Sequence, residues 1–75
     1  MTTGHDLKKE VGERLKQSRT VLKMSQKDVA AKMGMAYQQY QKYESGIFEM
    51  NYSQIVFLCK LFDISADYLL GLEQF

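Results

Sequence analysis

Seven basic side chains stand between residues 14 and 42: Arg14, Lys16, Arg19, Lys23, Lys27, Lys32 and Lys42, opposed by Asp28 alone. From residue 43 onward the balance reverses, with Lys60 against Glu44, Glu49, Asp63, Asp67 and Glu73. The formal net charge of +1 therefore conceals a polarised chain. A basic half can face a polyanion while the acidic half faces away from it. By charge alone, ordinary solvated helix faces are the simpler reading. Other chemistry finds little to work with. His5 is the only histidine and Cys59 the only cysteine, so no metal-ligand spacing arises and no nucleophile has a matching base. The GxxxxGK[ST] and GxGxxG phosphate-binding patterns and the GxSxG nucleophile turn do not occur. No catalytic residue, metal or cofactor is assigned, and the chain is expected not to be an enzyme.

The basic side chains must be positioned by short helices. The stretch SQKDVAAKMGMAYQQYQKYESG, residues 25–46, reads as two of them joined by a tight turn. Ser25 is a good N-cap, and Asp28 three residues on is close to a capping box. Val29, Ala30 and Met33 share one face, and Gly34 suits the left-handed position after a helix. A second helix is expected from about Ala36 to Ser45, with Tyr40, Tyr43 and Glu44 on one side and Gly46 as its stop. Small residues at Ala30 and Ala31 suit a steep crossing, which makes the pair a helix-turn-helix unit.

Around it, Leu7, Val11, Leu15 and Leu22 place an earlier helix from Asp6, its N-cap, to about residues 22–23, where no glycine marks the end. Gly12 inside it either weakens the helix by about 1 kcal/mol or permits a close approach by another helix. Asn51 caps a fourth helix running to about Phe62, with Ile55, Leu58, Cys59 and Phe62 facing inward. Cys59 there is a small core residue. Ser65 caps a short fifth helix ended by Gly71. The expectation is an all-α, compact five-helix bundle: a disordered tail at 1–5 and one domain over 6–75. With 45% hydrophobic and 25% charged residues the composition is globular. A single cysteine fits a reducing compartment, MTTGHDLKKE lacks the apolar run of a signal peptide, and no stretch reaches a membrane span.

The segments G-E-R-L-K-Q-x-R at 12–19 and S-Q-K-D-V-A-A-K-M-G at 25–34, followed by Tyr40, Tyr43, Glu44 and Gly46, resemble the phage repressor and Cro-like helix-turn-helix group. This is the lambda-repressor-like, XRE-type family. L-F-D-I-S-A-D-Y-L-L-G-L at 61–72 resembles the end of the same domain, so the likeness covers nearly the whole chain. It implies double-stranded DNA as partner and helix three in the major groove. Ala36, Tyr37, Gln38 and Lys42 match positions facing base edges. Gln26 matches a glutamine that holds a phosphate and braces the recognition helix, and Ser25 matches its cap. Gln39 and Ser45 match backbone-contacting positions, while Lys16, Lys23, Lys27 and Lys32 supply phosphate attraction. The chemistry suits the roles, since Gln can pair with adenine N6/N7 and Lys can donate to guanine O6/N7. Val29, Ala30, Met33, Met35 and Tyr40 match core positions, and Arg19 and Glu44 match a structural ion pair locking helix one to the end of helix three.

The sequence also departs from the family. Ser18 and Lys23 stand where Leu and Gly are frequent, and Phe57 where a polar residue is usual. The loop after helix three, normally basic, reads Ile47, Phe48, Glu49, Met50. The resemblance implies a sequence-specific transcription regulator, repressor-like, cytoplasmic, bacterial or phage-encoded and nucleoid-associated. It is also compatible with the DNA-binding part of a longer repressor. A protein-interaction module on the same fold, antirepressor- or antitoxin-like, is the alternative, with Ile47, Phe48 and Met50 as the partner surface. A homodimer is expected through Phe57, Leu70, Leu72 and Phe75. The bland alternative is that Leu69, Leu70 and Leu72 close the monomer's own core.

Overall fold

The apolar stripe of the first helix decides its length. In a computed structural model, which describes residues 7–72, α1 runs Leu7–Val21 and buries Val11 and Leu15. Ser18 occupies the next inward position and is buried too. Leu22 does not continue the stripe, contrary to the periodicity, and is exposed. The physical reason is the helix stop: Lys23 takes a left-handed conformation with φ of 57° and turns the chain away. Met24 N–H then donates to Arg19 C=O (3.2 Å) and Lys23 N–H to Thr20 C=O (2.9 Å). This is the Schellman arrangement, which satisfies the carbonyls left open at a helix end. Lys23 itself fills the left-handed position usually taken by glycine, so no glycine marks this helix end, and the lysine is strained there.

The helix-turn-helix follows as α2, Gln26–Met33, and α3, Tyr37–Glu44. Ser25 and Asp28 form a complete capping box, each side chain accepting the other's backbone N–H at 3.0 Å. Gly34, at φ 69°, ends α2 with the same Schellman pair of bonds, Met35 N–H to Ala30 C=O and Gly34 N–H to Ala31 C=O. Helix α4, Tyr52–Phe62, starts at an Asn51–Gln54 capping box and turns at Asp63, again left-handed. Helix α5, Ala66–Leu70, is capped by Ser65 and ended by Gly71.

The core gathers Val11, Leu15, Val29, Ala30, Tyr40, Tyr43, Leu58, Phe62 and Leu69, so every helix contributes. Met33, Met35, Ile55 and Cys59 pack against it partly buried. Helix α3 packs on both α1 and α2, and α5 on α1 and α4. Gly12 is where α1 meets α3. A Cβ there would overlap the Glu44 carbonyl oxygen and lie 2.8 Å from the Tyr43 carbonyl oxygen. Of the two readings of Gly12, close approach is the one realised. Leu69 is core, and Leu70 is drawn partly against it rather than standing on the surface with Leu72. The tail at 1–5, the Asp6 cap and Phe75 lie outside the described residues.

Candidate nucleic-acid interface

The last residue of α3 anchors the site. Glu44 has a side chain only 3% exposed, and its carboxylate collects hydrogen bonds from three elements. Arg19 of α1 donates through Nε to Oε2 (2.7 Å) and through Nη2 to Oε1 (3.1 Å). Tyr40, one turn back on α3, donates its hydroxyl to Oε2 at 2.6 Å. Gln26 of α2 donates Nε2 to Oε1 at 2.9 Å. Arg19 also donates Nη1 to the Met24 carbonyl in the turn between α1 and α2 (2.8 Å). Burial opposes the charge on Glu44, but the hydrogen bonds from Arg19, Tyr40 and Gln26 outweigh it and hold the carboxyl below its ordinary value. The hydrogen bond to Glu44 raises Arg19 in turn. Burial, aided by Glu44, moves the Tyr40 phenol far above its usual range. One carboxylate thus fixes α3 against both α1 and α2.

With Tyr40, Tyr43 and Glu44 turned inward, helical periodicity sends Gln38 and Lys42 outward and leaves Tyr37 and Gln41 half-buried at the edge of that face. An open groove of about 690 Å³ is lined by Lys16, Gln26, Gln38, Gln41, Lys42, Glu44, Ser45 and Ile47. A smaller one of about 340 Å³ at the start of α2 and α3 is lined by Arg19, Ser25, Gln26, Lys27 and Tyr37. Lys27 Nζ sits 5.5 Å from the Tyr37 ring centre and Lys42 Nζ 5.1 Å from that of Phe48, both cation–π contacts. Gln41 donates Nε2 to the Tyr37 hydroxyl at 2.8 Å.

The structure therefore brings together Lys16, Ser25, Gln26, Lys27, Tyr37, Gln38, Lys42 and Ser45. Ala36 adjoins them as the α3 N-cap, without a side-chain hydrogen bond, so its methyl offers only apolar contact. Gln39 stands on the flank of α3, its amide donating to the Tyr43 hydroxyl (3.2 Å). Lys32 is six residues along α2 from Gln26, about 9 Å further on and around the helix, so the two do not share a face. Lys23 stands in the left-handed turn. Two of the seven basic residues are structural: Arg19 by the Glu44 cluster, and Arg14 by its bond to the Leu69 carbonyl at the end of α5 (3.4 Å) and its ion pair with Glu10 (3.7 Å). Gln41 was missed by the sequence reading. Gln41 had a usable signal, since it lies one turn beyond Tyr37 and beside Lys42.

Of the apolar dimer candidates, Phe57 and Leu72 are exposed, as are Tyr52 and Val56 on α4. Ile47 and Phe48 are exposed in the loop, while Met50 packs partly against the core. Among the described residues no helix is long and apolar enough to cross a membrane.

Two short helices set across each other, the first bracing the second, define a helix-turn-helix domain. The model of a family described as "Helix-turn-helix domain" matches residues 12–74. The chain is 35% identical over 66 residues to a Rhodospirillum rubrum protein named as an uncharacterised transcriptional regulator in the ATPase CF(0) region. That alignment covers 88% of this chain and 61% of the relative. It is 37% identical over 60 residues to the uncharacterised HTH-type transcriptional regulator YobD of Bacillus subtilis strain 168, covering 80% of this chain and 54% of that protein. A second B. subtilis relative, named YqaE in the same terms, is 36% identical over 58 residues, or 77% of this chain and 50% of its own. The chain belongs to the XRE-type helix-turn-helix family of DNA-binding domains. It spans half to three-fifths of the length of these relatives.

Proposed function

We propose that this chain binds double-stranded DNA in a sequence-specific way and regulates transcription as a repressor, with α3 in the major groove. The observation that carries the reading is the outward face of α3. Gln38 and Lys42 project from a helix held by the Glu44 cluster, flanked by half-buried Tyr37 and Gln41, with Lys16, Lys27 and Ser45 at the margins. Gln38 and Lys42 read base edges, and the lysines, Ser25, Gln26, Gln39 and Ser45 meet the backbone. The relatives' names, transcriptional regulators, support the regulatory role. One recognition helix reads too few base pairs to select a site in a genome, so two copies bind about a DNA turn apart. Exposed Phe57 and Leu72, joined by Tyr52 and Val56, supply apolar surface for that dimer. Nothing in the arrangement calls for catalysis, and a cytoplasmic location suits it.

A second reading rests on one observation: Ile47 is 60% exposed beside half-exposed Phe48, where phosphate contacts are usual. A partner protein would take that loop. Gel shift with a salt titration separates the two. DNA binding weakens steeply with salt as counterions are released, whereas an apolar interface does not. Binding insensitive to salt, or none to any duplex, would overturn the DNA reading.

A further inference from the structure

We propose that Tyr37 and Gln41 act as one composite reader and select a single adenine. The inference rests on α3 being the DNA-reading helix and adds a specificity residue, Gln41, to it. The two side chains lie one helical turn apart, half-buried at the edge of the outward face, and Gln41 Nε2 donates to the Tyr37 hydroxyl oxygen at 2.8 Å. That bond has a directional consequence. The tyrosine oxygen is used as an acceptor, so its own proton is free to point away from the amide. The Gln41 amide is oriented by the same bond, and its Oε1 keeps its acceptor capacity. The pair thus offers a hydroxyl donor next to a carbonyl acceptor.

In the major groove, adenine presents an acceptor, N7, beside a donor, N6–H₂. Guanine presents two acceptors, N7 and O6, and would set an acceptor against Gln41 Oε1. Thymine and cytosine each offer a single polar group there. Adenine alone offers that acceptor–donor pair within a single base; the other such match, guanine O6 beside cytosine N4–H₂, spans a base pair. The reader is also held in place before DNA arrives. Lys27 Nζ lies 5.5 Å from the Tyr37 ring centre on the α2 side, and Gln41 holds the hydroxyl end. Both residues are half-buried, so less side-chain freedom is lost on binding than for an exposed glutamine such as Gln38.

The test begins with selection of bound duplexes from random DNA by the wild-type chain, followed by titrations of the selected site. One adenine should be required, and guanine in its place should weaken binding about 5- to 100-fold. Substitution of that adenine by 7-deazaadenine, which lacks only the N7 acceptor, should weaken it too, a result that depends on no protein variant. Tyr37→Phe and Gln41→Ala should each lose most of the adenine preference, and the double variant should lose little more, because either change dismantles the pair. Circular dichroism confirms that the variants fold. A selected site whose base preferences survive both substitutions overturns this proposal and leaves the DNA reading standing. So does a guanine preference lost with Tyr37→Phe. A wild-type chain that selects no sequence overturns both.

Discussion

Replacing Glu44 by alanine tests the architecture where it is most concentrated. Four hydrogen bonds end on this carboxylate, two from Arg19 and one each from Tyr40 and Gln26. Charge-assisted bonds at about 1.5–3 kcal/mol each would sum to roughly 6–12 kcal/mol. That overstates the loss, because the abandoned donors can partly recover water. Arg19 is 13% exposed at its side chain and Gln26 is half-buried. Breaking a buried pair by removing one partner gives the better figure, about 3–5 kcal/mol. A 75-residue domain holds only about 4–11 kcal/mol in total, at roughly 0.05–0.15 per residue. The melting temperature should then fall by about 12–40 °C. Urea unfolding followed by circular dichroism measures the change directly. Arg19→Met with Glu44→Leu, which leaves neither charge buried, should lose less than the sum of the two single changes. The pH dependence has a definite sign. Because the folded-state Glu44 carboxyl lies below its ordinary value, its contribution is present above the unfolded-state value and is lost as pH falls through the folded-state value. The wild type should lose stability on acidification below the ordinary carboxylate range, and Glu44→Gln should show a flatter acid limb. A loss under about 1 kcal/mol for Glu44→Ala, with an unchanged acid limb, would refute the reasoning.

Gly12→Ala sets helix propensity against packing: propensity favours alanine by about 1 kcal/mol, but the methyl meets the Glu44 carbonyl, and a net loss of about 1–3 kcal/mol is expected in a thermal melt. Lys23→Gly should stabilise by about 0.5–1 kcal/mol, since lysine at φ 57° is strained and glycine is not. Lys16→Ala should leave the fold intact, weaken binding to all duplexes alike, and reduce the salt slope by about 1. Phe57→Lys should shift sedimentation toward monomer without altering the melt of the isolated domain; a wild type that remains monomeric at high concentration and binds an operator as one copy would remove the dimer reading.

Capping and periodicity are local, and the sequence by itself determined what depends on them. Ser25 with Asp28, Asn51 and Ser65 mark helix starts, and Gly34, Gly46 and Gly71 mark stops, because each acts on backbone groups a few residues away. The inward set of α3 was legible for the same reason, as Tyr40, Tyr43 and Glu44 share one helical stripe. Leu22 shows where the stripe misleads: its spacing fits a helix that Lys23 has already ended. Gly12 had two readings because the atom it must avoid, the Glu44 carbonyl oxygen, is 32 positions away in the chain. The charge count treated Arg14 as a free cation, whereas packing gives it to the end of α5; Arg19 was already matched with Glu44 by resemblance, and the two are bonded. Gln26 stood as a phosphate ligand and brace by resemblance; only the crossing of α2 over α3 brings its amide to Glu44. Which side chains share a helix face follows from 3.6 residues per turn. Which faces meet, and therefore which charges remain for DNA, follows from how five short helices close one small core.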